Sequence, residues 1–260
     1  MEKKGTNREQ RCISLVKPSD YSESGNPIYK YEDKERGWMS PNYGEEGWAE
    51  KIERHFETYI GEIDNVFHEI ISDIVHIDVY HIKPTQERNY HTLFTTGMSY
   101  LPMNVPEGIE GYNYAELMIC LPPEWPITQE AFADEDHYWP VRWLKMLARL
   151  PHEYETWLGH GHTVPNGDPA RPLSDQTKLN GVILLPPIMV HRDFLTLEMD
   201  SERTIRFYSI VPLYQEEMEF KLKYGCNDLT DKFDKYGINE IVRLNRRNVC
   251  RSSVIPFRRK

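Results

Sequence analysis

The sequence predicts an α+β fold in which helices pack on a mixed, mainly antiparallel sheet. Residues 193–199 and 204–211 have strand patterns and are joined by only four residues, Asp200 to Arg203. So short a connection requires an antiparallel hairpin. Segments with helical spacing cluster along the chain instead of alternating regularly with strands. That organisation favours α+β over a doubly wound fold.

The first half of the domain predicts one helix and three strands. The helix covers about residues 45–60 and ends at Gly61, because apolar side chains recur at helical spacing, at Trp48, Ile52, Phe56 and Tyr59. Residues 74–82 predict a half-buried strand with the valines on one face and polar side chains on the other. Residues 90–96 and 114–121 extend the sheet.

The stretch from Trp139 to Gly167 predicts two helices and a loop. The first helix has an apolar face formed by Trp143, Leu144, Leu147 and Leu150. Pro151 is expected to start a second helix, since proline is tolerated at the first helical position. Gly159 is then expected to end that helix in a left-handed conformation. Residues 160–167 predict an exposed loop of turn-forming residues.

Two further helices close the predicted domain. The first is expected to start at Pro212 and to end at Gly225, with acidic residues early and lysines late. The second is a short helix ended by Gly237. We therefore divide the chain into an irregular N-terminal extension (1–44), a domain (45–248) and a basic C-terminal tail (249–260), which we expect to be a solvated end from Arg243 onward.

Composition favours a protein that binds other proteins over one that binds nucleic acid. The formal net charge is −10 and the isoelectric point is about 5.5, so a nonspecific phosphate-binding surface would need strong local segregation of positive charge. No run of residues is long and apolar enough for a membrane helix. The start of the chain lacks the apolar core of a secretory signal, and the four cysteines form no CxxC pair. We expect a cytoplasmic protein with reduced thiols.

Five segments resemble the suppressor of fused family. They are HTLFTTGMSYLPM (91–103), YAELMICLPPEWP (114–126), WPVRWLKMLARLPHEYETWLGHGHTVPNG (139–167), GVILLPP (181–187) and IVPLYQEEMEFKLKYG (210–225). The resemblance runs from about Glu46 to Asn248 and implies a suppressor-of-fused-like fold. Animal members sequester a zinc-finger transcription factor of Hedgehog signalling, whereas shorter bacterial members resemble immunity proteins or antitoxins. This chain resembles the bacterial single-domain form.

The candidate catalytic and metal-binding residues lack specific signatures. His160 and His162 have the residue type that zinc or iron requires, but no HExxH helix accompanies them. His76 and Asp78 share one face of a predicted strand, which is more often a polar face than a general base with its orienting carboxylate. Ser99 and Cys120 lie outside any activated setting. We therefore predict no enzyme activity, no cofactor and no bound metal.

We predict a cytoplasmic, non-catalytic protein-binding domain, most simply an immunity protein or antitoxin that neutralises a cognate toxin. An acidic protein suits a basic partner such as a nuclease toxin. Alternatives are a metal-assisted hydrolase that uses the His160/His162 loop, and a regulator that sequesters a transcription factor. The predicted partner-contact residues lie in and before this loop. They are Tyr154, Trp157, His160, His162, Asn166 and Asp168.

Overall fold

A large twisted sheet organises the chain, of which a computed structural model describes residues 17–32, 40–69, 71–72 and 74–251. The strands in this part are β1 (Asp20–Tyr21), β2 (Pro27–Ile28), β3 (Ile63–Phe67), β4 (Asp78–Ile82), β5 (His91–Thr96), β6 (Tyr114–Leu121), β7 (Thr163–Pro165), β8 (Gly181–Leu185), β9 (Thr196–Glu198) and β10 (Thr204–Leu213). β1 and β2 form a small hairpin of their own. The other strands form an eight-stranded sheet in the order β3-β4-β5-β6-β10-β8-β7, with β9 paired to β10.

All strand pairs of this sheet are antiparallel except β6 with β10, which run parallel. The sequence-based expectation of a mixed, mainly antiparallel sheet is confirmed. The hairpin expected around residues 200–203 is formed by β9 and β10, although residues 192–195 form a 3₁₀ turn before β9.

Four α-helices lie in the described residues. They are α1 (Trp48–Tyr59), α2 (Glu135–Glu153), α3 (Gln215–Tyr224) and α4 (Cys226–Tyr236). None of them is both long and apolar enough to cross a membrane. α1 confirms the helix expected over residues 45–60, and Trp48, Ile52 and Phe56 form its buried face.

Helices cover both faces of the sheet. Successive residues of β6 alternate between two cores, because side chains along a strand point to opposite faces. Leu117 packs in the core that contains Leu144 and Leu147 of α2, whereas Met118 packs with Phe56 of α1. A third apolar cluster joins α3 and α4 to β8 and β10.

The strand expected over residues 74–82 is shorter and more buried than its pattern predicted. Regular pairing covers only Asp78–Ile82, and Val75 makes an isolated bridge to Asn42. The valine face is buried as expected, but Tyr80 and Ile82 are buried on the opposite face. The reason is that α1 covers that face, which the alternation of residues could not reveal.

Two prolines do not start helices, contrary to expectation. Pro151 lies inside α2, which continues to Glu153 because the buried side chains of its apolar face hold the helix on the sheet. Trp157 therefore lies outside any helix. Pro212 lies in β10 beyond Ser209, the last residue that pairs with β6, so this part of the strand is an edge, where proline is tolerated; α3 starts only at Gln215.

The expected loop at 160–167 also differs in detail. Thr163–Pro165 forms the edge strand β7 instead of a turn. Gly159 is not left-handed; the positive φ angles of this region belong to Glu155 (52°), Gly161 (78°) and Gly167 (94°). Gly159 is nevertheless in close contact with Trp157, since an added Cβ would lie 2.8 Å from the indole ring.

Residues near both chain ends contact the domain. Ser24 donates both its backbone N–H and its hydroxyl to the Leu222 carbonyl at the end of α3. The Arg246 side chain is only 6% exposed and pairs with the buried Glu217 carboxylate (Nη2–Oε2 2.5 Å), so it does not belong to a solvated tail. Residues 1–16, 33–39 and 252–260 lie outside the described residues, and the division at 44 and 248 stays a prediction.

Candidate functional site

The loop that follows α2 rests on a buried carboxylate network. Glu116 of β6 is fully buried and accepts hydrogen bonds from the Thr95 hydroxyl (2.6 Å), the Gly97 N–H (3.0 Å) and both the N–H (2.9 Å) and hydroxyl (2.6 Å) of Ser99. Burial raises the pKa of Glu116 to about 7, although these donors oppose the shift. The network fixes residues 97–99 as a rigid platform.

The His152 side chain links the end of α2 to this platform. The Nε2 atom of His152 lies 2.8 Å from the Met98 carbonyl oxygen. Burial lowers the pKa of His152, which keeps the ring neutral and suited to donating one hydrogen bond. This contact therefore holds in place the end of α2, from which the chain continues into the predicted partner loop.

Trp157 and His162 form the inner part of this loop. Their ring centroids are 4.3 Å apart and the rings meet edge to face. Burial, and next the positive charge of Lys221, lower the pKa of His162 to about 4, against the effect of a hydrogen bond to the Trp157 carbonyl. His162 is thus a neutral, half-buried side chain that holds the loop together.

His160 is the exposed member of the histidine pair. Its Nε2 atom lies 3.8 Å from the Sγ atom of Cys226, the first residue of α4. Lys221 lies buried near this thiol, whose pKa is raised by burial. Burial therefore disfavours the thiolate of Cys226, whereas the nearby Lys221 favours it.

The N-terminal segment crosses the outer part of the same surface. The Tyr31 ring stacks on Tyr154 at 4.8 Å, and its hydroxyl lies 2.9 Å from the Thr156 hydroxyl oxygen. The neighbouring Lys30 pairs with Asp168 at 3.6 Å, and both side chains are largely exposed. Part of the predicted partner surface is therefore covered by the chain's own extension.

Asn166 has a role within the loop itself. Its side-chain amide donates to the carbonyls of Arg171 (3.0 Å) and Pro172 (2.8 Å), and its backbone N–H donates to Asn180 (2.9 Å). These three bonds close the turn after β7. Asn166 therefore shapes the loop that displays Asp168.

The predicted residues fall into two groups. His160 and Asp168 are exposed, whereas the other four are half-buried and support them. The sequence did not identify the neighbours that complete the surface, namely Lys30, Tyr31, Lys221 and Cys226. These residues lie far away along the chain and carry no local motif, so only the fold brings them to the loop.

The structure shows the surroundings of each candidate catalytic residue. Ser99 is fully buried in the Glu116 network, where its hydroxyl also accepts from the Trp48 indole at 2.9 Å. Cys120 is buried, and burial raises the pKa of its thiol. His76 lies 3.1 Å from Asp78, as the shared strand face suggested. His160 and His162 belong to no group of three potential metal ligands in the described part of the chain.

Comparison with known proteins identifies one family. The family model of "Suppressor of fused protein (SUFU)" matches residues 73–247. A crystal structure of a SUFU homologue from Neisseria gonorrhoeae FA 1090 is similar, with a TM-score of 0.58 and 20% sequence identity over 78% of this chain and 97% of that chain. The structure of the Sufu-Fu complex is similar with a TM-score of 0.55 and 15% identity, covering 81% of this chain and 93% of that chain. No curated protein matches the sequence.

Proposed function

Since this chain belongs to the suppressor of fused family, we propose that it is a non-catalytic, cytoplasmic protein-binding domain whose partner contacts the surface around His160 and Asp168. More specifically, we propose that it acts as an immunity protein or antitoxin toward a cognate toxin. One structural relative was solved as the Sufu-Fu complex. The single observation that carries the proposal is the combination of exposed polar side chains with a rigid support at the end of α2.

Rigid support matters because binding costs conformational entropy. Trp157 and His162 hold the loop from inside, and Asn166 closes it with three hydrogen bonds. His160 and Asp168 are then displayed on a loop that needs little ordering when a partner binds. Tryptophan and tyrosine are also enriched at interface hot spots, and Trp157 and Tyr154 are only half-buried here.

The edge strand β7 offers a second mode of contact. Its ladder to β8 is extended at one end by the Asn166 N–H, which donates to the Asn180 carbonyl (2.9 Å). At the other end, the Leu184 N–H donates to the His162 carbonyl (3.0 Å). Antiparallel pairing alternates, so Thr163 directs its N–H and carbonyl away from β8. In the part of the chain that the structure describes, no strand pairs with β7 on that side, and an extended partner segment fits there.

The proposal is tested by co-expressing the chain with the toxin-like product of a neighbouring gene and measuring growth. We expect the wild-type chain to restore growth, and His160→Ala with Asp168→Ala to weaken the complex roughly fivefold or more, which corresponds to about 1 kcal/mol. His191→Ala is the matched control, because His191 is an exposed histidine that pairs with Asp193 on another part of the chain.

Protection by binding must be stoichiometric. Growth rescue should therefore disappear when the toxin is expressed in molar excess, whereas an enzyme would protect in catalytic amounts. Rescue that persists at excess toxin would favour an enzymatic function. Rescue and affinity that are equal in the double variant and in His191→Ala would place the partner surface elsewhere.

A further inference from the structure

We propose that His68, His76 and Asp78 form a binding site for a single zinc-type divalent cation between β3 and β4. One potential ligand atom from each of these side chains lies within 4.8 Å of the other two. This group departs from the sequence-based expectation of no bound metal, which rested on the cysteines and on the His160/His162 loop. The proposal is independent of the proposed partner surface.

The ligand atoms converge on one carboxylate. The Nδ1 atom of His68 lies 3.1 Å from Oδ2 of Asp78, and the Nε2 atom of His76 lies 3.1 Å from Oδ1 of the same residue. A tetrahedral zinc ion about 2.0 to 2.1 Å from each ligand separates its ligand atoms by roughly 3.3 Å. The two contacts to Asp78 already have about this spacing, and the two imidazole nitrogens, which lie within 4.8 Å of each other, would have to approach to enclose such an ion.

The hydrogen bonds around His76 fix which nitrogen carries its proton. The Ser72 hydroxyl donates to Oε2 of Glu69 (2.7 Å), so toward Nδ1 of His76 (2.9 Å) it can only accept. The neutral His76 ring therefore carries its hydrogen on Nδ1 and directs the lone pair of Nε2 at the Asp78 carboxylate. Two acceptors 3.1 Å apart repel each other unless a proton or a cation lies between them.

The surrounding residues have the arrangement that orients metal ligands. A ligating histidine commonly donates its other N–H to an oxygen that is itself hydrogen-bonded, as His76 does through Ser72 to Glu69. Asp78 Oδ1 also accepts the Glu69 backbone N–H (3.0 Å). Glu69 is in turn held by an ion pair with Arg149 of α2.

The charges select the class of cation. Arg149 neutralises Glu69, and Lys145 lies close enough to interact with both Glu69 and Asp78. One free carboxylate is too few for calcium or magnesium, which prefer several oxygen ligands. Two imidazoles and a carboxylate suit zinc, and three protein ligands leave one position for water or for another side chain.

The test is a titration of the untagged, full-length protein with Zn²⁺ after treatment with a chelator, using calorimetry and elemental analysis. We expect roughly one equivalent to bind and His68→Ala or His76→Ala to lower the affinity at least tenfold. Ser72→Ala, which removes the oriented acceptor, should lower the affinity by about 10-fold to 100-fold. Mg²⁺ at the same concentration should not compete.

His191→Ala is again the matched control, because His191 and Asp193 form an exposed pair 3.6 Å apart that belongs to no group of three potential ligands among the described residues. The His68 variant should fold normally, since that side chain is 70% exposed. Absence of saturable Zn²⁺ binding by the wild-type protein would overturn the proposal. Binding that is equally tight in the His68 and His191 variants would overturn it too.

Discussion

Replacing Glu116 with leucine should destabilise the protein strongly while leaving its surface unchanged. The carboxylate accepts four hydrogen bonds from Thr95, Gly97 and Ser99. The two hydroxyls can turn to other acceptors, such as the Leu117 carbonyl for Thr95, but the two backbone N–H groups cannot. Each buried unpaired donor costs about 1 to 3 kcal/mol, so the variant should lose about 2 to 6 kcal/mol of unfolding free energy.

Glu116→Gln is the matched variant because it keeps one oxygen in place. That oxygen can still accept from the Gly97 and Ser99 N–H groups, while the new amide donates to the Thr95 hydroxyl. We expect a loss of about 1 kcal/mol, typical of one net hydrogen bond. Urea unfolding at pH 7 measures both variants. Equal losses below about 1 kcal/mol would refute the reasoning, since the N–H groups would then have other partners.

The difference in unfolding free energy between wild type and Glu116→Gln should depend on pH. The pKa of folded Glu116 is raised to about 7, above the ordinary value of an unfolded glutamate, so the folded state holds this proton more tightly. The contribution to stability is complete below the unfolded pKa and is lost as the pH rises through about 7. The difference in unfolding free energy between wild type and Glu116→Gln should therefore shrink from pH 5 to pH 8.

Other substitutions distinguish the residues that stabilise the fold from the exposed residues that are proposed to contact a partner. Leu147→Ala should cost about 2 to 5 kcal/mol in urea unfolding, because this fully buried side chain leaves a cavity. His160→Ala should change stability by less than about 0.5 kcal/mol, as exposed positions do. The pKa of folded His162 is depressed, so wild-type stability should fall as the pH drops from about 6.5 toward 4; His162→Phe should lose this dependence. Removal of residues 1–44 should leave a folded domain with a slightly lower melting temperature, because the stacking of Tyr31 on Tyr154 is lost; an unfolded product would show that the extension belongs to the core.

Sequence patterns predicted the elements whose causes are local. The apolar faces of α1 and α2 and the hairpin of β9 and β10 follow from periodicity and from a short connection. The prediction that Pro151 and Pro212 start helices was wrong, because tertiary packing outweighs the preference of proline for a first helical position. Pro151 lies inside α2 and Pro212 inside β10. The second buried face of β4 depends on α1, which alternation within the strand does not encode.

The candidate site was predictable only in part, for the same reason. His160 and Asp168 are exposed in a loop, as the turn-forming residues indicated. That His162 supports the loop, and that Lys30 reaches Asp168, depend on contacts between distant segments. His68 was missed entirely, because it lies in an irregular connection and meets Asp78 only when β3 and β4 pair.

The parallel pairing of β6 with β10 joins residues much farther apart in the sequence than the pairing among β3, β4, β5 and β6. β3 to β6 pair in the order of the chain, so their pairing closes only short loops. Pairing Ile205 with Tyr114 closes a loop of about 90 residues, which costs more conformational entropy. We expect β3 to β6 to pair first and the contact between β6 and β10 to form last. Ile205→Val should then accelerate unfolding and leave refolding nearly unchanged in stopped-flow kinetics; a matching decrease in the refolding rate would instead place this contact in the folding nucleus.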